Sequence, residues 1–429
     1  MVRPGVGGGL ASAFVAREPG VVGPLTGLLA ADVISTAGTE MTAVALPWFV
    51  LVSTGSPTRM GAVLAAEFVG MTVLGLWGGR AATVFGSRRM MLGSDLVRAA
   101  LIGLIPVLYW WDALSFAVVL AVGFVVGAFF PGYSSAQRLV LAGIVGEDEL
   151  RLTRVSGLMS SVNETASFVG PALGGLLITV IGATNVLIVD AASYLCGFVL
   201  VAMLIPAARV AAVEDDDAGG GVWEGLRYLF RDRALRQQVV GIGFLEVSWT
   251  ALMATLPVLA LHRGGASIAG WLVAAYGGGS VLGGLISSRA RRVGGRTAGW
   301  SVVGLAGSAC LLLLPVPVWA VAGAVALIGV CSGLFFPRFF AALTAGTPPA
   351  LRARVMTSVT IAISAPGPLG FLGAGFLSQH AGSSTPSLLV VAISAVVGAV
   401  IIVRVHAGVA TPSGPTPEPV EHLEGDQAR

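Results

Sequence analysis

The chain contains no lysine. Its 25 cationic residues are all arginine, set against 22 acids, and charged residues make up only 11% of 429 positions. Soluble globular domains carry about 25%, so this chain cannot cover a water-facing surface. Cysteine is scarce as well. Cys196, Cys310 and Cys331 all fall in apolar stretches, which excludes a disulfide framework and indicates no metal site. The four histidines, His262, His380, His406 and His422, lie at the ends of apolar runs or in the C-terminal tail, and none forms a catalytic or metal constellation with its neighbours. A Walker-type phosphate loop is missing, which argues against direct use of ATP. What is abundant is apolar surface: 55% of residues are hydrophobic and the mean hydropathy is +0.88. Lipid is the solvent such a chain expects.

Apolar runs recur at 24–53, 60–82, 90–111, 113–136, 155–181, 184–206, 239–261, 267–288, 299–316, 318–343, 355–379 and 385–405. Crossing the hydrocarbon takes about 20 residues of helix, so each run can span it, 299–316 with least to spare. Their continuous Gly, Ala, Leu and Val content favours helices over barrel strands, which would alternate. Arginine then sets the topology. With both termini in the cytoplasm, every arginine falls in an inside segment or toward the inner end of a run except Arg59 and Arg263, which fall outside, and Arg98, which lies within a run. That is the asymmetry of the positive-inside rule, and a wrong number of spans would scramble it. The start, residues 1–20, has an apolar part too short and glycine-rich for a signal peptide and is read as a cytoplasmic arm.

The chain also repeats itself. Residues 61–81 and 270–290 share Gly61/Gly270, Ala65/Ala274, Ala66/Ala275, Gly70/Gly279, Gly75/Gly284, Leu76/Leu285, Arg80/Arg289 and Ala81/Ala290 in one register. Pro47 and Pro257 follow nearly the same offset, and "AFFP" ending at Pro131 parallels "LFFP" ending at Pro337. The expected fold is all-α, with twelve transmembrane helices in two pseudo-symmetric six-helix halves, 21–206 and 239–405. Between them, 207–238 reads as a cytoplasmic linker. Its acidic run Glu214–Asp217 is a solvated loop. An amphipathic helix follows, with Trp223, Leu226, Phe230 and Ala234 on one face and Arg227, Arg231 and Arg236 around it, expected to lie on the inner leaflet. Residues 406–429, rich in proline and polar groups, read as a disordered cytoplasmic tail.

Twelve spans, two parallel halves and a long central loop resemble the major facilitator superfamily. The superfamily's loop between spans two and three reads G-x-x-x-D-R-x-G-R-R; here "GRAATVFGSRR" matches at Gly79, Gly86 and Arg88, with Arg89 adding a charge, but holds Thr83 and Val84 at the acid and arginine positions. Asp95 and Arg98 follow three residues apart and are expected to pair locally. Gly170, Pro171, Gly174 and Gly175 match the antiporter motif of drug exporters, and "APGPLGFLGAG" with Gly367 and Pro368 is its counterpart in the second half. No arginine lies in 113–136, where the superfamily usually has one. With "EGLRYLFRD", these features resemble the branch of enterobactin and macrolide exporters. In lipid, small residues let helix backbones approach, and proline bends a helix, so this motif suits a seam that rocks.

Besides Asp95, six acids fall inside the runs: Asp32, Glu40, Glu67, Glu164, Asp190 and Glu246. A carboxylate at the bilayer centre costs roughly 2.5–3.5 kcal/mol on insertion scales, and Arg98 is the one cation within a run that does not stand near its inner end. Acids without a partner there can take up and release protons, so all six are candidates for proton coupling, Glu40 foremost. Asn163, Trp48, Phe68, Phe244, Trp249 and Tyr276 are candidates for a substrate cleft between the halves. The sequon Asn163–Glu164–Thr165 is set aside because it falls within a run. The resemblance implies a monomeric secondary transporter in a bacterial plasma membrane, in contact with lipid and not with nucleic acid. It would export a hydrophobic or amphipathic small molecule such as an antibiotic, drug or siderophore, with no cofactor beyond a proton gradient. Metabolite uptake is the alternative within transport; a sensor or scaffold without turnover is the alternative from another class, and an enzyme is not expected.

Overall fold

A computed structural model describes residues 19–146, 149–205, 218–289, 295–348 and 351–409. Most of the expected N-terminal arm and tail, the acidic run of the linker, and the surroundings of Gly79 and Trp223 lie outside the described residues. The described chain is helical. The first half contributes α1 (Pro19–Thr54), α2 (Pro57–Val84), α3 (Ser87–Trp110), α4 (Phe116–Val145), α5 (Glu149–Ile181) and α6 (Ala183–Leu204). After the linker come α7 (Ala218–Arg231), α8 (Arg233–Leu261), α9 (Ala266–Arg289), α10 (Gly295–Leu311), α11 (Val318–Gly346), α12 (Arg352–Ser364), α13 (Gly367–Ala381) and α14 (Thr385–Val409).

Helix is the one open-ended element whose backbone groups are all satisfied within lipid, and the boundaries follow local chemistry. Ser115 caps α4, accepting the Val118 N–H at 3.4 Å, and Asp232 caps α8, accepting from Ala234 and Leu235 at 2.8 and 3.1 Å. Gly182 and Gly382 turn the chain between α5 and α6 and between α13 and α14 with φ of 84° and 61°, a region that suits glycine.

The two halves repeat one packing scheme. In the first, α2 packs on α4, α1 on α5 and α6, and α3 on α4 and α6; in the second, α9 packs on α11, α8 on α13 and α14, and α10 on α11 and α14. The repeated prolines agree: Pro47 and Pro257 lie inside α1 and α8, Pro131 and Pro337 inside α4 and α11. The halves meet chiefly where α5 crosses α9 and α13 crosses α2.

The expected twelve spans are met in part. Among the described residues eleven segments are long and apolar enough to cross a membrane, with α12 and α13 counted together. The run 299–316 ends as helix at Leu311, because Leu312–Val316 form turns ahead of Pro317; the resulting α10 is only 17 residues long, although it takes the packing place that α3 has in the first half. The run 355–379 is interrupted between Ser364 and Gly367, around Pro366 and ahead of Pro368, whereas α5 continues unbroken through Pro171. α7 packs on α12: Leu229 is buried, a side chain on Gly225 would strike the Arg354 carbonyl and Ser358, and Glu224 forms an ion pair with Arg354. Phe230, Arg227 and Arg231 remain exposed, and Ala234 belongs to α8.

Candidate functional site

Glycine makes both contacts between the halves. A Cβ on Gly270 (α9) would stand 2.7 Å from Gly175 Cα, and one on Gly175 (α5) 2.8 Å from Gly270 Cα. Gly61 (α2) and Gly375 (α13) repeat the arrangement, each Cβ position lying 3.3 Å from the other's Cα. Gly61 and Gly270 are the repeat pair seen in the sequence. The second seam also has polar fasteners: Gln379 Oε1 accepts from the Ser56 hydroxyl at 2.6 Å and the Thr58 N–H at 3.1 Å. These contacts use the first turns of α2 and α9 and the later turns of α5 and α13, so the halves close at the end bearing the α1–α2 and α8–α9 turns. Toward the opposite, arginine-rich end, α5 leaves Leu150, Leu158, Ser160 and Ser161 exposed, and α12 packs on α7, α8 and α11.

The antiporter motif divides its work. Gly175 belongs to the seam with α9, while Gly170 and Gly174 receive α1: a Cβ on Gly170 would strike Glu40, and one on Gly174 would lie 2.9 Å from the Met41 carbonyl. Glu40 accepts the Ser167 hydroxyl at 2.7 Å, which fixes it at the α1–α5 crossing. Gly367 likewise receives the ring of Phe68, which packs edge-on to Phe371 at 5.9 Å.

A cavity of about 280 Å³ lies among α8, α9, α10 and α11, with Phe68 and Met71 of α2 reaching into it from the other half. It brings together four sequence candidates: Phe68, Glu246, Trp249 and Tyr276. The rings of Trp249 and Tyr276 lie tilted at 47° with centroids 6.4 Å apart, and Trp249 Nε1 is buried without an acceptor. Ser248, Ser332 and Ser364 add hydroxyls to otherwise apolar walls. Trp48 is buried in the core, and Phe244 is partly exposed; neither lines this cavity. Asn163 accepts from Thr36 at 3.3 Å, joining α5 to α1, and Glu164 is exposed.

The remaining acids gather inside the first half. Asp32 is 3% exposed and accepts Gln137 Nε2 at 2.6 Å, while its other oxygen has no partner. Asp190 is fully buried and accepts Ser193 Oγ at 3.2 Å; Gly38 of α1 leaves room for it. The expected Asp95–Arg98 pair does not form. Both residues are buried on α3, but neither Asp95 oxygen has a hydrogen-bond partner, and Arg98 rests on aromatic rings instead. In the loop motif, Gly86 adopts φ 84° between α2 and α3, and Arg88 donates to the Ile205 and Ala202 carbonyls at 2.6 and 2.7 Å, capping the end of α6. Arg89 is exposed beside a groove walled by α2, α3 and α4.

Sequence reasoning passed over Gln379, Ser167, Tyr133 and Tyr194. The two tyrosines carried a usable signal, since polar aromatics inside apolar runs seek partners. Gln379 stands at a span end, where a polar residue is unremarked.

Two similarly packed helical halves joined at glycine seams define a multi-pass membrane protein of the major facilitator fold, a secondary-active transporter of small molecules. The chain belongs to the transmembrane secretion effector family, whose pattern matches residues 25–423. It is 30% identical over 376 residues to the multidrug efflux pump Tap of Mycolicibacterium fortuitum, covering 84% of this chain and 90% of that one. Tap of Mycobacterium tuberculosis is 27% identical over 410 residues, 90% and 94% of the two chains. Among solved structures, the nucleoside transporter NupG superposes with a TM-score of 0.71 at 13% identity, covering 90% of this chain and 99% of its own.

Proposed function

We propose that the chain exports hydrophobic or amphipathic small molecules (antibiotics, drugs or siderophores) by alternating access driven by proton antiport. The observation that carries this reading is the cavity holding Glu246: a carboxylate with aromatic walls and no cation among its lining residues. An amphipathic compound would place its apolar body against Phe68, Trp249 and Tyr276, and a positive or donor group at Glu246. The volume of about 280 Å³ suits one small molecule or the head of a larger one. The names of the Tap relatives support export of many compounds rather than one.

In this reading the halves are 21–206 and 239–405, six crossings each, and act as a monomer with the arginine-rich end and both termini in the cytoplasm. Glycine seams at the outer end close the cleft there. Asp32, Glu40, Glu67, Glu164 and Asp190 are the proton-handling set, with Glu246 shared between proton and substrate.

The test is expression in an efflux-deficient bacterial host, with a panel of dyes including ethidium, antibiotics and siderophores, with and without a proton uncoupler. Lower accumulation of at least one compound, abolished by the uncoupler, is expected. Unchanged accumulation of every compound would favour a sensor or scaffold, and raised accumulation would favour uptake.

A further inference from the structure

Arg98 is 3% exposed inside the first half. Its guanidinium carbon stands 5.4 Å from the centroid of Tyr133, 5.6 Å from Phe130 and 5.5 Å from Tyr194, so rings from α4 and α6 box it in. A ring face attracts a cation without consuming its N–H donors. The donors are not consumed elsewhere: Arg98 Nε has no partner, and among the described residues no carboxylate stands within ion-pair distance of it. Three acids come from helices around this box: Asp95 lies one turn before Arg98 on α3, Asp190 one turn before Tyr194 on α6, and the backbone of Glu67 on α2 packs against Gly127, one turn before Phe130 on α4. Asp95 and Asp190 are fully buried, each with at least one oxygen unpartnered. Asp32 of α1 is already held by Gln137, one turn beyond Tyr133 on α4. The structure thus stores one cation among several acids and commits it to none.

We propose that Arg98 is the shared counter-cation of this acid set, pairing in turn with Asp95, Glu67 and Asp190 as each gives up its proton during the transport cycle. The proposal rests on the antiport reading above. In each step a carboxylic O–H bond breaks, the proton passes to water of the cleft, and a guanidinium N–H donates to the carboxylate left behind. No other reactant is needed. Arg98 is a positioning residue here: it acts through the coupling acids and not on the substrate. Its aromatic box lets it leave one carboxylate for the next, where a fixed salt bridge would hold it.

Purified protein in vesicles, with ethidium as the probe, tests this. Uphill transport driven by an imposed pH gradient is compared with downhill ethidium exchange without one. Arg98→Gln should lose uphill transport at least ten-fold while downhill exchange stays within two-fold. Arg98→Lys should recover part of the uphill rate with a displaced pH profile, because an ammonium keeps the charge but not the flat stacking. The charge-balanced pair Arg98→Gln with Asp95→Asn should insert normally and remain uncoupled. Restoration of uphill transport by that pair would show that Arg98 merely neutralises Asp95 and would overturn the proposal, as would wild-type uphill rates in Arg98→Gln or an unchanged pH profile in Arg98→Lys. A wild-type protein that ignores the gradient overturns the antiport reading and the proposal with it; a responsive wild type matched by Arg98→Gln overturns the proposal alone.

Discussion

Gly175 and Gly270 meet backbone to backbone across the α5–α9 seam, with no room for a side chain on either. Overpacking a close contact costs about 1–3 kcal/mol, and here the cost falls on the closed arrangement of the halves rather than on either half alone. Gly270→Leu is therefore expected to insert normally and lose at least ten-fold in transport. Gly174→Leu differs, because it crowds Met41 within the first half; its expected sign is a lower melting temperature and yield. Efflux assays and thermal unfolding in detergent, run side by side, separate the two.

Arg88 ties the α2–α3 loop to the last carbonyls of α6. Hydrogen bonds to a charged group contribute about 1.5–3 kcal/mol, and both are lost together in Arg88→Ala. Arg88→Lys should restore less than half of the stability, since one ammonium cannot reproduce the fork that reaches two carbonyls. Thermal unfolding of the three proteins decides this.

The linker helix offers a contrast between charge and packing. Glu224 and Arg354 are 48% and 38% exposed, and an exposed pair is worth roughly 0–1 kcal/mol, so Glu224→Gln should leave α7 docked. Gly225→Val should undock it, because its side chain would overlap the backbone of α12. Limited proteolysis near 206–217 should be unchanged in the first variant and faster in the second.

In the cavity, Glu246→Gln should weaken binding of a cationic dye about ten-fold, equivalent to about 1.4 kcal/mol, and leave a neutral dye of similar size within two-fold. Trp249→Phe removes the unpartnered Nε1 donor while keeping the ring. It should weaken only ligands that carry an acceptor. Fluorescence titration of purified protein reads both.

Much of the architecture was legible because lipid imposes it. The apolar runs matched α1 through α6 and most of the second half, and the Gly61/Gly270 register became two equivalent seams. The misses have physical causes. A lone proline such as Pro171 is tolerated where neighbouring helices satisfy the freed carbonyl, whereas Pro366 and Pro368, two residues apart, remove two donors from one turn and break the helix. Both prolines looked alike in the repeat. The site was harder to read. A membrane helix is apolar on all sides, so hydropathy does not reveal which face turns inward. Glu164 therefore looked as buried as Asp190, though one is exposed and the other fully enclosed. The spacing of Asp95 and Arg98 suggested a partnership within α3, but the aromatic rings that compete for the arginine come from α4 and α6, far away in the chain.

Gln379 makes the two closures unequal. One is dry glycine against glycine; the other is also clasped by a side chain gripping Ser56 and the Thr58 amide. Parting the dry side breaks no side-chain hydrogen bond, while parting the clasped side must break three, the third from the Thr58 hydroxyl to the Gly375 carbonyl. The two seams therefore part unequally: separation starts between α5 and α9 and turns about the clasped edge, so that an opening forms on one flank of the bundle rather than through its middle.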